Sequence, residues 1–323
     1  MTEPRTKTMR DAVIERIYAR MAEDRSIFFV SADFGAPALD RIRQDYPDHF
    51  VNVGIAEQNL VNVCTGLALE GLTVYGYAIA TFLTMRAYEQ IRNNISLMAR
   101  HRQMNVNLLG VGAGLSYDMS GPSHHCLEDL SIMRTLPEIA IFSPGDWMMA
   151  EAFVDVSIGQ KAPKYWRLDG KPVGSIYSDG VDVCWDKGFF ELSTDGDVCL
   201  LATGCMTGRA LEAADALRTD GIAVGIIDLF MLRPLDADAL ARALGSYHTV
   251  ITIEEGFVGK GGLDSLISGI LRASGSQTQL ESLGFPEAHV FECNNRDALV
   301  ELNGCGPQAI ARAVTDCLMR SRR

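Results

Sequence analysis

Long apolar runs and an excess of basic side chains are both missing from this sequence. No run of about 18 apolar residues occurs, and the N-terminal stretch MTEPRTKTMRDAVIERIYARM is polar and charged, without the apolar core of a signal peptide. The 29 Lys and Arg are outnumbered by 41 Asp and Glu, which gives a formal charge of −12. An acidic protein repels phosphate backbones and anionic lipids. We therefore predict a cytoplasmic protein that binds neither nucleic acid nor membranes.

Closely paired cysteines are missing as well. The eight cysteines are scattered, and no two of them form a Cys-x-x-Cys pair. This spacing argues against a zinc or disulfide framework and favours buried thiols in a reducing compartment.

With 47% apolar and 22% charged residues, the composition is that of an ordinary globular protein. A chain of 323 residues is long enough for about two domains.

Runs with the spacing of strands alternate with runs that have the spacing of helices, which predicts an α/β fold with parallel-type sheets in two domains. In the first half, strands are predicted at 27–31, 74–78 and 106–111. Apolar side chains fall on one helical face at 60–68, with Gly71 as the C-cap, and again at 87–98. Because polar residues follow these strands, we expect a site at the carboxyl ends of the sheet.

The periodicity fades between about Gly170 and Lys187, where Gly, Pro, Ser and Asp accumulate. This composition is typical of a linker. The second half repeats the α/β pattern in a smaller unit, with strands predicted at 198–202, 223–227 and 250–253 and helices at 207–217 and 235–244. We therefore predict a first domain at 1–175, a linker at 176–190 and a second domain at 191–323.

The run NVGIAEQNL at 52–60 places Glu57 at the predicted start of a helix. Taken alone, such a glutamate is most simply a first-turn charge that the helix dipole favours. Other blocks in the same half change this interpretation. They are S-A-D at 31–33, T-F-L at 81–83, G-P-S-H-H at 121–125, L-E-D at 127–129, M-R-T-L-P at 133–137 and S-P-G-D at 143–146.

In these blocks and in their order, the chain resembles the transketolase family. The resemblance continues through Y-W-R at 165–167 into the second half, with A-T-G at 202–204, G-I-A-V at 221–224, Asp228, R-P-L-D at 233–236 and E-E-G at 254–256. It therefore spans nearly the whole chain. It implies a pyrimidine-binding domain followed by the family's C-terminal domain, with thiamine diphosphate as the cofactor.

The resemblance implies that Glu57 activates the aminopyrimidine of the cofactor. This task needs a carboxylic acid in a low-dielectric pocket, where its proton can be shared with a ring nitrogen. Phe82 and Tyr88 match family aromatics that would line the pyrimidine, and Asp33 of the S-A-D block is predicted to belong to the same cofactor site. Met85 stands where the family places a stacking phenylalanine, although a thioether can also pack on a ring. At helical spacing, Met85 and Tyr88 also fit simple core positions.

His124 matches the family's substrate-contacting histidine and is the second predicted catalytic residue. His125 replaces a glutamine, so either ring could reach the substrate. Ser120 stands where standard transketolases have an aspartate that contacts a substrate hydroxyl, which implies a different or relaxed acceptor. Asp118, two residues earlier, could substitute for that aspartate.

Two arginines lie near positions where the family clamps a sugar phosphate. A guanidinium at Arg167 or Arg10 could bind a phosphate through two parallel hydrogen bonds. Each is equally compatible with an ordinary surface arginine. We predict both as substrate ligands.

The sequence has no G-D-G motif, through which thiamine enzymes hold the metal and the diphosphate. Met1 falls where the family's pyrimidine-binding domain should begin, so we expect half a cofactor site with no metal ligands of its own. The resemblance implies an α-type partner subunit that carries the G-D-G motif and holds Mg²⁺ or Ca²⁺, in an α2β2 assembly acting on sugars or sugar phosphates.

The predicted function is therefore that of the β-type subunit of a split transketolase. One alternative is the β subunit of a 2-oxo acid dehydrogenase-type decarboxylase, which shares both domains and the glutamate; the T-F-L block and the paired histidines favour transketolase. 1-Deoxyxylulose-5-phosphate synthase has a similar half within one longer chain. A non-catalytic subunit that scaffolds an active homologue is the third possibility, supported by the departures at Ser120 and Met85. The sequence identifies neither the ketose donor nor the acceptor of the transferred unit.

Overall fold

The computed structural model describes residues 6–178 and 183–321. The predicted α/β fold with parallel-type sheets is confirmed. Residues 179–182 of the predicted linker lie outside the described part of the chain, and the predicted domain boundaries remain a prediction. Across the two described stretches, every helix is too short or too polar to cross a membrane.

The first half contains strands β1 to β8 and helices α1 to α7. The strands are β1 (Thr6–Thr8), β2 (Ile27–Ser31), β3 (Phe50–Asn52), β4 (Thr73–Ile79), β5 (Asn105–Val111), β6 (Ala140–Phe142), β7 (Lys164–Leu168) and β8 (Pro172–Gly174). The helices are α1 (Met9–Glu23), α2 (Pro37–Asp45), α3 (Glu57–Leu69), α4 (Tyr88–Gln90), α5 (Leu97–Ala99), α6 (Asp129–Arg134) and α7 (Trp147–Gly159). Short 3₁₀ turns lie at Pro47–His49 and Asp118–Ser120.

The second half continues with strands β9 to β14 and helices α8 to α12. The strands are β9 (Phe190–Thr194), β10 (Val198–Ala202), β11 (Gly225–Asp228), β12 (Met231–Arg233), β13 (Thr249–Phe257) and β14 (Gln279–Phe285). The helices are α8 (Met206–Thr219), α9 (Ala237–Leu244), α10 (Leu263–Ala273), α11 (Arg296–Leu302) and α12 (Pro307–Ser321).

The larger sheet has the strand order β12-β6-β7-β5-β4-β2-β3, and the smaller sheet has the order β14-β13-β10-β11-β9. Neighbouring strands pair in parallel, except that β12 is antiparallel to β6 and β9 is antiparallel to β11. Strand β12 comes from the second half, so that half completes the edge of the first half's sheet. Strands β1 and β8 form a separate antiparallel pair.

The centre of the larger sheet is covered on both faces. Every residue of β5 and β7 is buried, as expected for parallel strands with helices on either side. Alternate side chains of β4 go to opposite faces: Val74 packs with α3, and Tyr75 packs with α1 and α7. The site described below lies at one end of this three-layer arrangement.

The helix predicted at 87–98 is the main local difference. The chain between Phe82 and Ala99 forms short α-helical pieces separated by π-helical turns at Phe82–Arg86 and Ile91–Ser96. A π-helical turn is wider than an α-helical turn and is frequent at functional sites. The apolar spacing of the segment is therefore visible in the sequence, but its irregular backbone is not.

Candidate active site

The candidate active site lies at the carboxyl ends of β2, β3 and β4. Asn52, at the end of β3, connects the loop after β2 to the loop after β3 through hydrogen bonds. Its side-chain amide donates to Asp33 Oδ1 at 2.8 Å, and its Oδ1 accepts the backbone N–H groups of Asp33 at 3.2 Å and Gly54 at 3.0 Å. Asp33 has a φ of 53°, in the left-handed region that few residues other than glycine adopt. Asp33 is exposed at the rim of the site, and its cofactor role remains a prediction.

Glu57 is the first residue of α3 and is only 3% exposed. Helix α3 packs closely on β4 because Gly76 has no side chain: a Cβ there would lie 2.8 Å from Cys64 Sγ and 3.0 Å from Leu60 Cδ2. The start of the helix is thereby held at the end of the sheet, where the helix dipole favours an acidic side chain. An ordinary first-turn glutamate would be solvated, because glutamate is rarely buried without a partner. The structure instead buries this carboxylate.

A series of contacts extends from Glu57. Arg86 Nη1 donates to Glu57 Oε2 at 2.5 Å. The guanidinium carbon of Arg86 lies 5.1 Å from the centroid of the Phe82 ring. The Phe82 ring meets the His124 ring edge-on, with the two centroids 5.2 Å apart. Glu57, Phe82 and His124 therefore lie around one site, while their chemical roles remain predictions.

The two other residues predicted to line the pyrimidine lie in different surroundings. Met85 is 41% exposed, which argues against a core position, and its Sδ lies 3.7 Å from Thr81 Oγ1. The Tyr88 hydroxyl donates to the carbonyl oxygen of Ile132 at 3.1 Å and lies 2.5 Å from Thr135 Oγ1. Its ring packs against the buried core. Tyr88 thus connects α4 to α6, which agrees with the core alternative rather than with a cofactor wall.

The two adjacent histidines face different surroundings. His124 is half-buried, and its Nδ1 lies 3.1 Å from Ser123 Oγ. His125 is buried, and this burial lowers the pKa of its ring below its usual value. Ser120 is exposed on the preceding 3₁₀ turn. His124 and Ser120 are more accessible than His125, and the expectation that either histidine ring could reach a substrate remains a prediction.

Asp118 does not replace the aspartate that is missing at Ser120. Asp118 is buried, and its carboxylate accepts from the Lys171 ammonium, from the backbone N–H of Arg296 at 2.7 Å and from that of Met119 at 2.8 Å. Burial works to raise the pKa of Asp118, but Lys171 and these N–H groups hold it below its usual value. The carboxylate faces the second half of the chain, so the expectation of a substitute acceptor is wrong.

The prediction that Arg167 clamps a substrate phosphate is wrong as well. Arg167 is buried in β7, where its Nε donates to both carboxylate oxygens of Asp129 at 2.9 and 3.1 Å and its Nη2 donates to the Glu255 carbonyl at 2.8 Å. A guanidinium enclosed by these partners is not accessible to a phosphate. Arg10 is partly exposed and donates to both oxygens of Asp11, at 2.8 and 3.1 Å. Its phosphate role remains a prediction.

Arg86 belongs to none of the sequence blocks that pointed to the site. A signal was present, because Arg86 follows Phe82 by four residues, about one helical turn, on the segment that carries the T-F-L block. What the sequence does not give is its partner, since Glu57 lies 29 positions away.

The residues at this site fit the pyrimidine end of thiamine diphosphate. An aminopyrimidine requires a carboxyl partner in low-dielectric surroundings and an apolar wall for its ring. The buried Glu57 supplies the carboxyl group, and Phe82, which contacts the Arg86 guanidinium bound to Glu57, supplies apolar surface.

A parallel α/β sheet with a buried carboxylate at its carboxyl end defines an α/β protein with a small-molecule site. The sequence profile of the transketolase pyrimidine binding domain matches residues 5–169, and that of the transketolase C-terminal domain matches residues 191–310. The chain belongs to the transketolase family. Membership implies thiamine diphosphate as the cofactor and supports a transketolase-type enzyme.

Relatives that are themselves subunits match over most of their length. The chain is 30% identical over 304 residues to one of the subunits of the apulose-4-phosphate transketolase of Actinobacillus succinogenes, covering 94% of this chain and 96% of the relative. It is 30% identical over 258 residues to a 6-deoxy-6-sulfo-D-fructose transketolase subunit of a Clostridium species, covering 80% and 78%. A solved structure described as a split-gene transketolase in an inactive β4 tetramer superposes with a TM-score of 0.84 at 30% identity, covering 97% of this chain and 98% of the other. The chain therefore corresponds to the C-terminal half of a split transketolase.

Proposed function

We propose that this chain is the β-type subunit of a split, thiamine-diphosphate-dependent transketolase that transfers a two-carbon ketol unit from a ketose or ketose phosphate to an aldehyde. The observation that carries the proposal is the buried Glu57 carboxylate at the carboxyl end of the sheet, connected through Arg86 and Phe82 to His124. The similarity to separate transketolase subunits, matched over nearly their whole length, supports it.

When bound, thiamine diphosphate supplies the nucleophilic carbon that carries the two-carbon unit. Glu57 holds a proton at its carboxyl group, where low dielectric strengthens the hydrogen bond to a ring nitrogen. Phe82 excludes water from the carboxyl group and provides an apolar wall. Ser123 engages Nδ1 of His124, so the other ring nitrogen, Nε2, is the atom that contacts a substrate hydroxyl. Ser120 contacts the substrate from the same loop.

An α-type partner subunit completes the site in this proposal. The partner carries the G-D-G motif and holds the diphosphate through Mg²⁺ or Ca²⁺, in an α2β2 assembly. Ile55 and Met119, which lie in the loops next to Glu57 and Ser120, are largely exposed, as is Met85 to a lesser degree. Exposed apolar side chains grouped around a site are typical of an interaction surface. The inactive β4 tetramer described for the related protein is what such a subunit without its partner would form.

The test is the substitution Glu57→Gln in the chain co-expressed with a partner subunit that carries the G-D-G motif. Glutamine keeps the size of the side chain and an oxygen for Arg86, but it cannot hold a carboxyl proton. We expect ketol transfer between sugar phosphates to fall by at least about 100-fold, with the thermal unfolding of the free chain nearly unchanged. Glu89→Gln, at an exposed position on α4, is the control and should keep full activity. Normal turnover by the Glu57→Gln complex would refute the proposal.

A further inference from the structure

The side chain that lies against Glu57 is Arg86, and the mechanism above gives it no role. The ion pair joins two very different environments: Glu57 is buried, whereas the Arg86 side chain is 47% exposed. The guanidinium thus reaches from solvent into the site and donates to Oε2, an oxygen of the carboxyl group to which the proposed function assigns a proton.

The ion pair and the proposed role of Glu57 compete for this carboxyl group. A carboxylate that accepts from a guanidinium is an acceptor only, whereas a carboxyl group that donates to a ring nitrogen must be protonated. A cation at hydrogen-bond distance favours the charged form over the protonated one. The pair seen in this structure therefore disfavours the protonated state that would activate an aminopyrimidine.

Arg86 can leave Glu57 without becoming a buried, unpaired cation. It is the last residue of the π-helical turn that begins at Phe82, and its guanidinium already lies 5.1 Å from the Phe82 ring centroid. A cation over an aromatic face is stabilised there, and the exposed half of the side chain remains hydrated. The released state thus differs from the observed state by a rotation of one flexible side chain.

We propose that Arg86 is a positioning residue that acts through Glu57: it holds the Glu57 carboxylate in the cofactor-free chain and must release it when the aminopyrimidine ring binds. This inference rests on the proposed function. The ion pair keeps a buried carboxylate satisfied while the site is empty, and it opposes cofactor binding by the free energy needed to break it.

The experiment compares Arg86→Met, Arg86→Lys and wild-type chains, each assembled with the partner subunit. Calorimetric titration with thiamine diphosphate and Mg²⁺ gives the affinity. Without a guanidinium to displace, the Arg86→Met complex should bind the cofactor about three- to tenfold more tightly than wild type. Its Tm without cofactor should be lower, and the rise in Tm on adding cofactor should be larger. Arg86→Lys keeps the cation and should bind like wild type.

Arg92→Met is the matched control, because Arg92 is exposed six positions further along and its guanidinium donates to Asn93. It should leave the affinity unchanged. An Arg86→Met complex that binds the cofactor as wild type does, or more weakly, would overturn the role of Arg86 while leaving the proposed function intact. A wild-type complex that binds no thiamine diphosphate would overturn the proposed function, and this inference with it.

Discussion

Arg296 is the centre of a buried charge cluster between the two halves of the chain. Its Nε donates to Glu255 Oε1 at 2.9 Å and its Nη1 to Asp169 Oδ2 at 2.5 Å, while its backbone N–H donates to Asp118 at 2.7 Å. All four residues are buried. One guanidinium from the second half therefore neutralises carboxylates of both halves and helps to fix the turn that leads to Ser120.

Replacing Arg296 by methionine should strongly destabilise the protein. It leaves Glu255 and Asp169 buried without their counter-charge, and a broken buried pair typically costs about 3–5 kcal/mol. Urea unfolding of the purified chain measures the loss. Arg218→Met is the control, since the side chains of Arg218 and its partner Asp215 are 75% and 68% exposed and such pairs contribute about 0–1 kcal/mol. Equal losses in the two variants would contradict a structural role for the Arg296 cluster.

The roles of single residues could be predicted where a short motif identifies them. They could not be predicted where they depend on a contact with a residue far away in the sequence. Glu57 and His124 belong to short blocks with a fixed order, so the sequence alone singles them out. The partners of Arg167 and Arg296 lie 38 to 178 positions away. Their burial depends on which strands become neighbours in the sheet. The Y-W-R block at 165–167 lies close to the predicted linker, and this position wrongly favoured an exposed, phosphate-binding Arg167.

At the scale of secondary structure, six strands of the two sheets were predicted, whereas β7, although buried at every residue, and the irregular helices were not. Strands β2 and β10 consist almost entirely of apolar residues, and every residue of β5 is buried although it includes Asn105 and Asn107, because parallel strands are covered on both faces. The segment between Phe82 and Ala99 keeps the apolar spacing of a helix, but its π-helical turns depend on packing against α3 and α6. These turns place Phe82 and Arg86 at the site.

The helix cap at Asp146 offers a test at this scale. Asp146 caps α7 by accepting the Met149 N–H at 2.8 Å, and it also accepts the N–H groups of Ile176 and Tyr177 at 2.6 and 2.9 Å. Asp146→Ala leaves all three donors without this acceptor, so we expect a loss of about 2–4 kcal/mol, more than an ordinary cap contributes. Urea unfolding is the measurement.

The comparison for Asp146 is Asp236→Ala. Asp236 is an exposed cap of α9 that accepts the Ala239 N–H at 2.8 Å. Its loss should be about 1 kcal/mol, the typical contribution of an N-cap. If Asp146→Ala costs no more than Asp236→Ala, the contacts to Ile176 and Tyr177 contribute nothing measurable.

At the scale of the whole molecule, the two halves pack against each other and are not independent domains joined only by a linker. Strand β12 of the second half pairs with β6 of the first half, and the Arg296 cluster joins the halves elsewhere. The alternation of strands and helices could be predicted from local periodicity, but the partner of β12 could not, because a three-residue strand has no periodicity that identifies its neighbour.

Asp228, at the end of β11, makes this junction sensitive to pH. It is fully buried and accepts from the Tyr177 hydroxyl at 2.7 Å and the Thr207 hydroxyl at 2.8 Å. Burial raises the pKa of Asp228 to about 7, whereas an aspartate in the unfolded chain ionises near ~3.9. Between these two values the folded chain retains a proton that the unfolded chain has lost. The free energy of unfolding should therefore fall as the pH rises across this window, and the decrease should level off above about pH 7.

Asp228→Asn removes this ionisation while its amide keeps a donor and an acceptor for Thr207 and Tyr177. Relative to wild type, the variant should gain stability with rising pH by up to about 1.4 kcal/mol per pH unit between roughly pH 4 and 7, and the difference should be constant above that range. Urea unfolding from about pH 4.5 to about pH 8.5 tests this. Asp195→Asn, on the exposed turn after β9, should differ from wild type by the same amount at every pH. A pH-independent difference for Asp228→Asn would show that the buried carboxyl group is already ionised throughout this range, and would remove it as the source of pH sensitivity at the junction.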